Sequence, residues 1–238
     1  MSSIIVFQPW IGQDYGREFP NFRKKTLILG GSHYFADDDD GETNGDEIVA
    51  DEVSDSGTFG EISDDPGLEL FTSKVVECYF NPDCRDKWKK TFSTFINSVF
   101  GRPSSIEEKK AFFDSIVFYN YLQEAAGEDP YSAGLSDYND ERHLSAYYEV
   151  LDRLEPEVVI CWGSKVWEAL PNNWRSFGEA DKGTGLSIGN QIFKRYYDYP
   201  YLDKTIRLIG VHHPSIGYKT EFHHQVFRGL DLIGRENS

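Results

Sequence analysis

The chain is predicted to fold as an α/β domain, a three-layer α/β/α sandwich around a central, mostly parallel four-stranded sheet. Four short apolar runs, Lys25–Leu29, Ser115–Tyr119, Glu157–Cys161 and Thr205–Gly210, carry most of this expectation. Segments with helical periodicity separate them, which is the pattern of βαβ units with both faces of the sheet covered. Each run leads into a polar or glycine turn, namely Gly30–Tyr34, Asn120, Trp162–Ser164 and His212–Ser215. Parallel strands would set all four turns on one rim. A length of 238 residues, 39% of them hydrophobic and 15% aromatic, suits one domain with a large core.

In chain order, Lys25–Leu29 reads as a buried strand. Arg85–Phe100 reads as a helix, because Trp88, Phe92, Phe95, Ile96 and Val99 recur at three- and four-residue spacing before Gly101 and Pro103. Ser105 and Glu108 form a capping box for a short helix through Phe113. The strand Ser115–Tyr119 then runs into Asn120. Asn139–Leu154 has the clearest amphipathic stripe, Leu144, Tyr147, Tyr148, Leu151 and Leu154, and Pro156 breaks it. Glu157–Cys161 is a strand closed by Trp162-Gly163, and Ser164 can cap a helix through Leu170. A hairpin is expected around Gly189–Tyr197, then the strand Thr205–Gly210 and a helix from Thr220 to about Leu232.

Charge is distributed unevenly. The net charge of −16 argues against a nucleic-acid partner until the run from Ala36 to Pro66 is set aside. That run holds thirteen of the 40 acidic residues and no Lys, Arg or His, so 27 acidic residues face 24 basic ones elsewhere, a balance near −3. A local basic face is therefore allowed. The run is read as an acidic surface insertion at about 36–66, a lid or a contact for a protein partner, within one domain spanning 1–238. No apolar stretch is long enough to span a bilayer, and the N-terminus has no basic region before its apolar residues. A cytoplasmic monomer is expected. Its cysteines, Cys78, Cys84 and Cys161, are expected as free thiols.

Candidate chemistry lies at the strand ends. Glycines such as Gly30 and Gly31 let a backbone approach a ligand closely. Asn120, preceded by apolar and aromatic residues, can offer a donor and an acceptor side by side to an amide-like edge. In His213-Pro214-Ser215 the proline stiffens the backbone after an imidazole able to exchange a proton near neutral pH. A P-loop, a nucleophile elbow and the helical zinc motif are all missing, so neither cofactor nor metal is expected.

The order of these pieces resembles the uracil-DNA glycosylase superfamily. The chain reads Leu29-Gly30-Gly31-Ser32-His33-Tyr34, Val117-Phe118-Tyr119-Asn120, Leu154-Glu155-Pro156-Glu157-Val158-Val159-Ile160-Cys161-Trp162-Gly163 and His213-Pro214-Ser215 in that order. The resemblance implies a uracil-DNA glycosylase-like fold acting on a uracil or related damaged base flipped out of DNA. It implies that Asn120 reads the pyrimidine edge, Tyr34 excludes a thymine methyl, and Phe71 or Phe80 stacks on the base. His213 would hydrogen-bond the base oxygen, and Ser32, with His33, would place the attacking water. Ser164, Ser215 and the backbone of Gly163 would hold phosphates, and Ile216 or Tyr218 would wedge into the duplex. Ser32 stands where many members carry a carboxylate, and His33 where a proline is usual. Two other functions fit the same residues: a catalytically weakened glycosylase fold acting as a binding module, and a binder or hydrolase of free nucleosides or nucleotides.

Overall fold

The computed structural model describes residues 4–17, 22–32, 67–84, 88–124, 138–170 and 185–234. His33, Tyr34 and the acidic run at 36–66 lie outside the described residues.

The molecule is α/β, built on a mixed six-stranded sheet. Its strands are β1 (Trp10–Ile11), β2 (Thr26–Gly30), β3 (Val117–Asn120), β4 (Val158–Trp162), β7 (Tyr196–Tyr201) and β8 (Lys204–Val211), in the order β1-β3-β2-β4-β8-β7. The inner four run parallel, as their apolar content predicts. The expected sheet was too narrow, because an antiparallel strand closes each side. β1 is only two residues long and leaves no periodicity to read. β7 is rich in tyrosine and contains Pro200, which an edge strand tolerates because one side needs no ladder donor. The hairpin expected around Gly189–Tyr197 resolves into two. One joins β5 (Leu186–Ile188) to β6 (Gln191–Phe193), and the other joins β7 to β8.

Helices cover both faces. Ile28, Phe118, Ile160 and Ile209 of the sheet pack with α1 (Phe71–Phe80), α2 (Lys89–Phe100), α3 (Ile106–Ser115) and α6 (Thr220–Gly229). Alternate strand residues, Leu27, Leu29, Val159 and Leu208, pack with α4 (Glu141–Leu154) and with Val166 of α5 (Ser164–Ala169). The period of two along each strand thus feeds two separate cores. α3 carries the capping box that Ser105 and Glu108 foretold. α2 ends at Gly101, whose φ of 70° suits a residue without a side chain. α5 departs from expectation: its N-cap is Gly163, and Ser164 is its first residue.

The cysteines also correct the sequence reading. Cys78, near the end of α1, and Cys84, in the turn that follows, have Cα atoms 5.8 Å apart and form a disulfide. Chain reversal after α1 brings them together, which their spacing alone does not reveal. Cys161 is free and buried.

Phe95 lies where the helical layer meets the sheet. It is fully buried, with its ring 5.0 Å from Trp162 and 5.8 Å from Phe227. Phe95→Ala should lower unfolding stability by about 3–5 kcal/mol in urea titrations, the usual cost of emptying an aromatic site.

Candidate functional site

Parallel register decides what meets at the carboxyl rim. Gly30 stands beside Asn120 across β2 and β3, and Trp162 stands beside Val211 across β4 and β8. The loops leaving these strands enclose a cavity of about 280 Å³. Gly30, Gly31, Ser32, Asn120, Gly163, Ser164, His213, Ser215 and Ile216 line it, although they come from four distant parts of the chain. Its remaining walls are largely aromatic and apolar: Trp88, Phe92, Phe118, Tyr138, Trp162, Val75 and Val166. Among the described lining residues there is one cation, Lys165, and no carboxylate.

Close backbone approach explains the first glycine pair. A Cβ on Gly30 would collide with Asn120 Oδ1, and one on Gly31 would come within 2.8 Å of the Tyr138 hydroxyl. The strands stay zipped past their ends, since Tyr121 N–H donates to Gly30 O at 3.0 Å and Leu122 N–H to Gly31 O at 2.9 Å. Asn120 is 5% exposed, and its Nδ2 donates to Ser32 O at 3.2 Å. That bond orients the amide and uses one of its two N–H groups. The Ser32 hydroxyl is buried without a hydrogen-bond partner among the described residues.

The geometry also bears on the tautomer of His213. Its Nδ1 accepts the backbone N–H of Ser215 at 3.4 Å and lies 2.6 Å from Ser215 Oγ. A backbone N–H can only donate, so Nδ1 of the neutral ring is the acceptor and Nε2 carries the hydrogen. The ring stands edge-on to Trp162 with centroids 6.2 Å apart. Gly163 has φ 89°, a conformation that side chains rarely adopt, and a Cβ there would make only ordinary contact with His213, 3.7 Å from its Cβ.

Three sequence expectations are corrected. Phe71 is 4% exposed and packs on Phe7, and Phe80 sits edge-on to Tyr79 and Phe113, so neither lines the cavity. Tyr218 is held by its hydroxyl, 2.7 Å from Ser98 Oγ, and by stacking on His223 at 3.9 Å. It is tied down, whereas Ile216 is 56% exposed at the cavity. In the other direction, sequence reasoning passes over Trp88, Phe92, Phe118, Tyr138 and Trp162 as walls. Trp162 is signalled by its place at a strand end; the spacing of Trp88 and Phe92 reads only as a core stripe.

Behind the His213 loop, His223 is buried and its Nδ1 donates to Lys219 O at 2.8 Å. Burial, reinforced by His212, outweighs that bond and brings its pKa down from 6.5 to about 4. Falling pH protonates the unfolded chain first, so this contribution is complete above pH 6.5 and is lost as pH drops toward 4. Wild type should lose up to about 3 kcal/mol through this group, and His223→Gln should flatten that slope in urea titrations.

Among the described residues no group of three or more His, Cys, Asp or Glu side chains is placed to hold a metal ion. No helix among them is long and apolar enough to cross a membrane. The chain matches no protein-family model and no curated protein sequence.

Proposed function

We propose that the cavity receives a base flipped out of DNA, and that the protein is a uracil-DNA glycosylase-like enzyme that hydrolyses the N-glycosidic bond of uracil or a related damaged base. One observation carries this reading. A buried, oriented Asn120 amide and a His213 imidazole with its hydrogen on Nε2 line the same aromatic-walled cavity at the end of a parallel sheet.

The parts have distinct tasks. Aromatic walls exclude water and offer a stacking face, which Phe92, Phe118, Trp88 or Trp162 can supply in place of Phe71 and Phe80. Asn120 reads the amide-like edge of the base. As the C1′–N bond breaks, negative charge grows on the base oxygens, and the His213 Nε2–H stabilises it without transferring its proton. The Ser32 hydroxyl, lacking a partner among the described residues, orients the water that attacks C1′. Lys165, Ser164 and Ser215 meet phosphates, and Ile216 fills the space the base has left.

The absence of a carboxylate among the described lining residues favours one second reading, a binding module that holds a flipped base without releasing it. Incubation with single-stranded oligonucleotides bearing different damaged bases, followed by abasic-site cleavage, separates the two. Strand cleavage at a damaged base supports the enzyme; retention with every strand intact supports the module.

A further inference from the structure

A disulfide lies in the chain between two walls of the cavity. Val75 on α1 and Trp88 at the start of α2 both line the cavity. Cys78 follows Val75 by one helical turn, and Cys84 precedes Trp88 by four positions. The disulfide between them joins the last turn of α1 to the turn that follows it, between Val75 and Trp88 in the chain.

We propose that Cys78–Cys84 is a reversible redox clamp that holds Trp88 against the cavity when oxidised and releases it when reduced. The Trp88 ring is 4% exposed and leans edge-on against Phe92 at 5.5 Å. Its indole N–H has no hydrogen-bond partner among the described residues. Deeper in the layer, α1 and α2 are fastened independently, by Tyr79 Oη to Ser93 Oγ at 2.8 Å and by Tyr79 against Phe92. The Lys89 ammonium donates to Asn81 O at 2.6 Å near the same turn. A cross-link over so short a loop constrains the unfolded chain least, so cutting it acts mainly on the turn and on Trp88.

The exchange is balanced. Two thiols lose two protons and two electrons to a low-molecular-weight disulfide such as glutathione disulfide, which leaves as two thiols, and a dithiol reverses the reaction. Cys161 stays outside it, being fully buried with its thiol pushed far up in pKa by desolvation. Looser walls in the reduced form would weaken retention of a base, a consequence that rests on the function proposed above. The clamp itself rests only on the cavity.

The test therefore needs no DNA. Full-length protein is equilibrated with glutathione disulfide or with dithiothreitol, and its thiols are counted by alkylation and mass spectrometry after denaturation. Acrylamide quenching of tryptophan fluorescence is then compared between the states, with Trp88→Phe subtracted to isolate Trp88. The clamp predicts one alkylated cysteine after oxidation and three after reduction, with Trp88 more accessible in the reduced form. A Cys78→Ser, Cys84→Ser double variant should match the reduced form in either buffer. Hydrogen exchange over Val75–Tyr79 and Thr91–Phe95 in wild type gives the same answer should Trp88→Phe fail to fold. Three alkylated cysteines after oxidation, or equal quenching and exchange in both states, would overturn the proposal. If the clamp holds while uracil-containing strands are neither bound nor cleaved, the fault lies with the functional reading alone.

Discussion

His213→Ala should slow base release about a hundredfold or more while leaving retention on single-stranded DNA nearly unchanged. On the proposed reading the Nε2–H acts on charge that exists only as the base departs, so its loss would fall on the barrier rather than on binding. Removing one preorganised donor of this kind typically costs about 2.7–4 kcal/mol. The backbone N–H of Ser215 already favours the tautomer that the proposed role needs. Single-turnover release from the oligonucleotide cleaved fastest, beside filter retention of the same strand, is the measurement. Equal loss of retention and rate would make His213 a binding residue and not a stabiliser of the leaving base.

Gly30→Ala should be nearly as damaging, through a residue that has no chemistry of its own. The added methyl would collide with Asn120 Oδ1, and both residues sit at paired positions of adjacent strands. Either the amide turns away or the strands part. Overpacking of this kind costs about 1–3 kcal/mol in stability. Displacing the edge-reading group by about an ångström can cost on the order of 10²-fold in rate. Thermal unfolding should therefore show a modest loss, while base release falls sharply and selectivity among bases relaxes. A Gly30→Ala variant that keeps wild-type selectivity would mean that Asn120 does not read the base.

What is legible in the chain follows from where each signal lives. Strands buried on both faces leave uninterrupted apolar runs, so β2, β3, β4 and much of β8 are visible, with the polar turns that end them. Gly30, Asn120, Gly163 and His213 are legible for the same reason, because a strand end fixes the rim on which its next residue stands. Edge strands leave little trace: β1 is too short, and β7 alternates tyrosines with Asp198 and Pro200. α1 escapes the sequence reading because its Phe71 and Phe80 look like lone aromatics, when both belong to a helix packed into the core. The cavity walls are equally hidden. Trp88 and Phe92 obey helical spacing, and only the position of α2 over the end of the sheet turns part of that stripe toward the cavity. Cys78 and Cys84 meet through a chain reversal that hydrophobic patterning does not encode.

The central claim is that an extrahelical base enters the cavity beside Asn120 and His213. A duplex carrying uracil with 2-aminopurine as its neighbour tests this most directly, because 2-aminopurine brightens when the base stacked on it leaves. Mixing with wild type, and equally with His213→Ala, should raise the fluorescence, whereas Gly30→Ala should leave it nearly flat. Unchanged fluorescence with wild type, at protein concentrations where the duplex is demonstrably bound, would contradict the account.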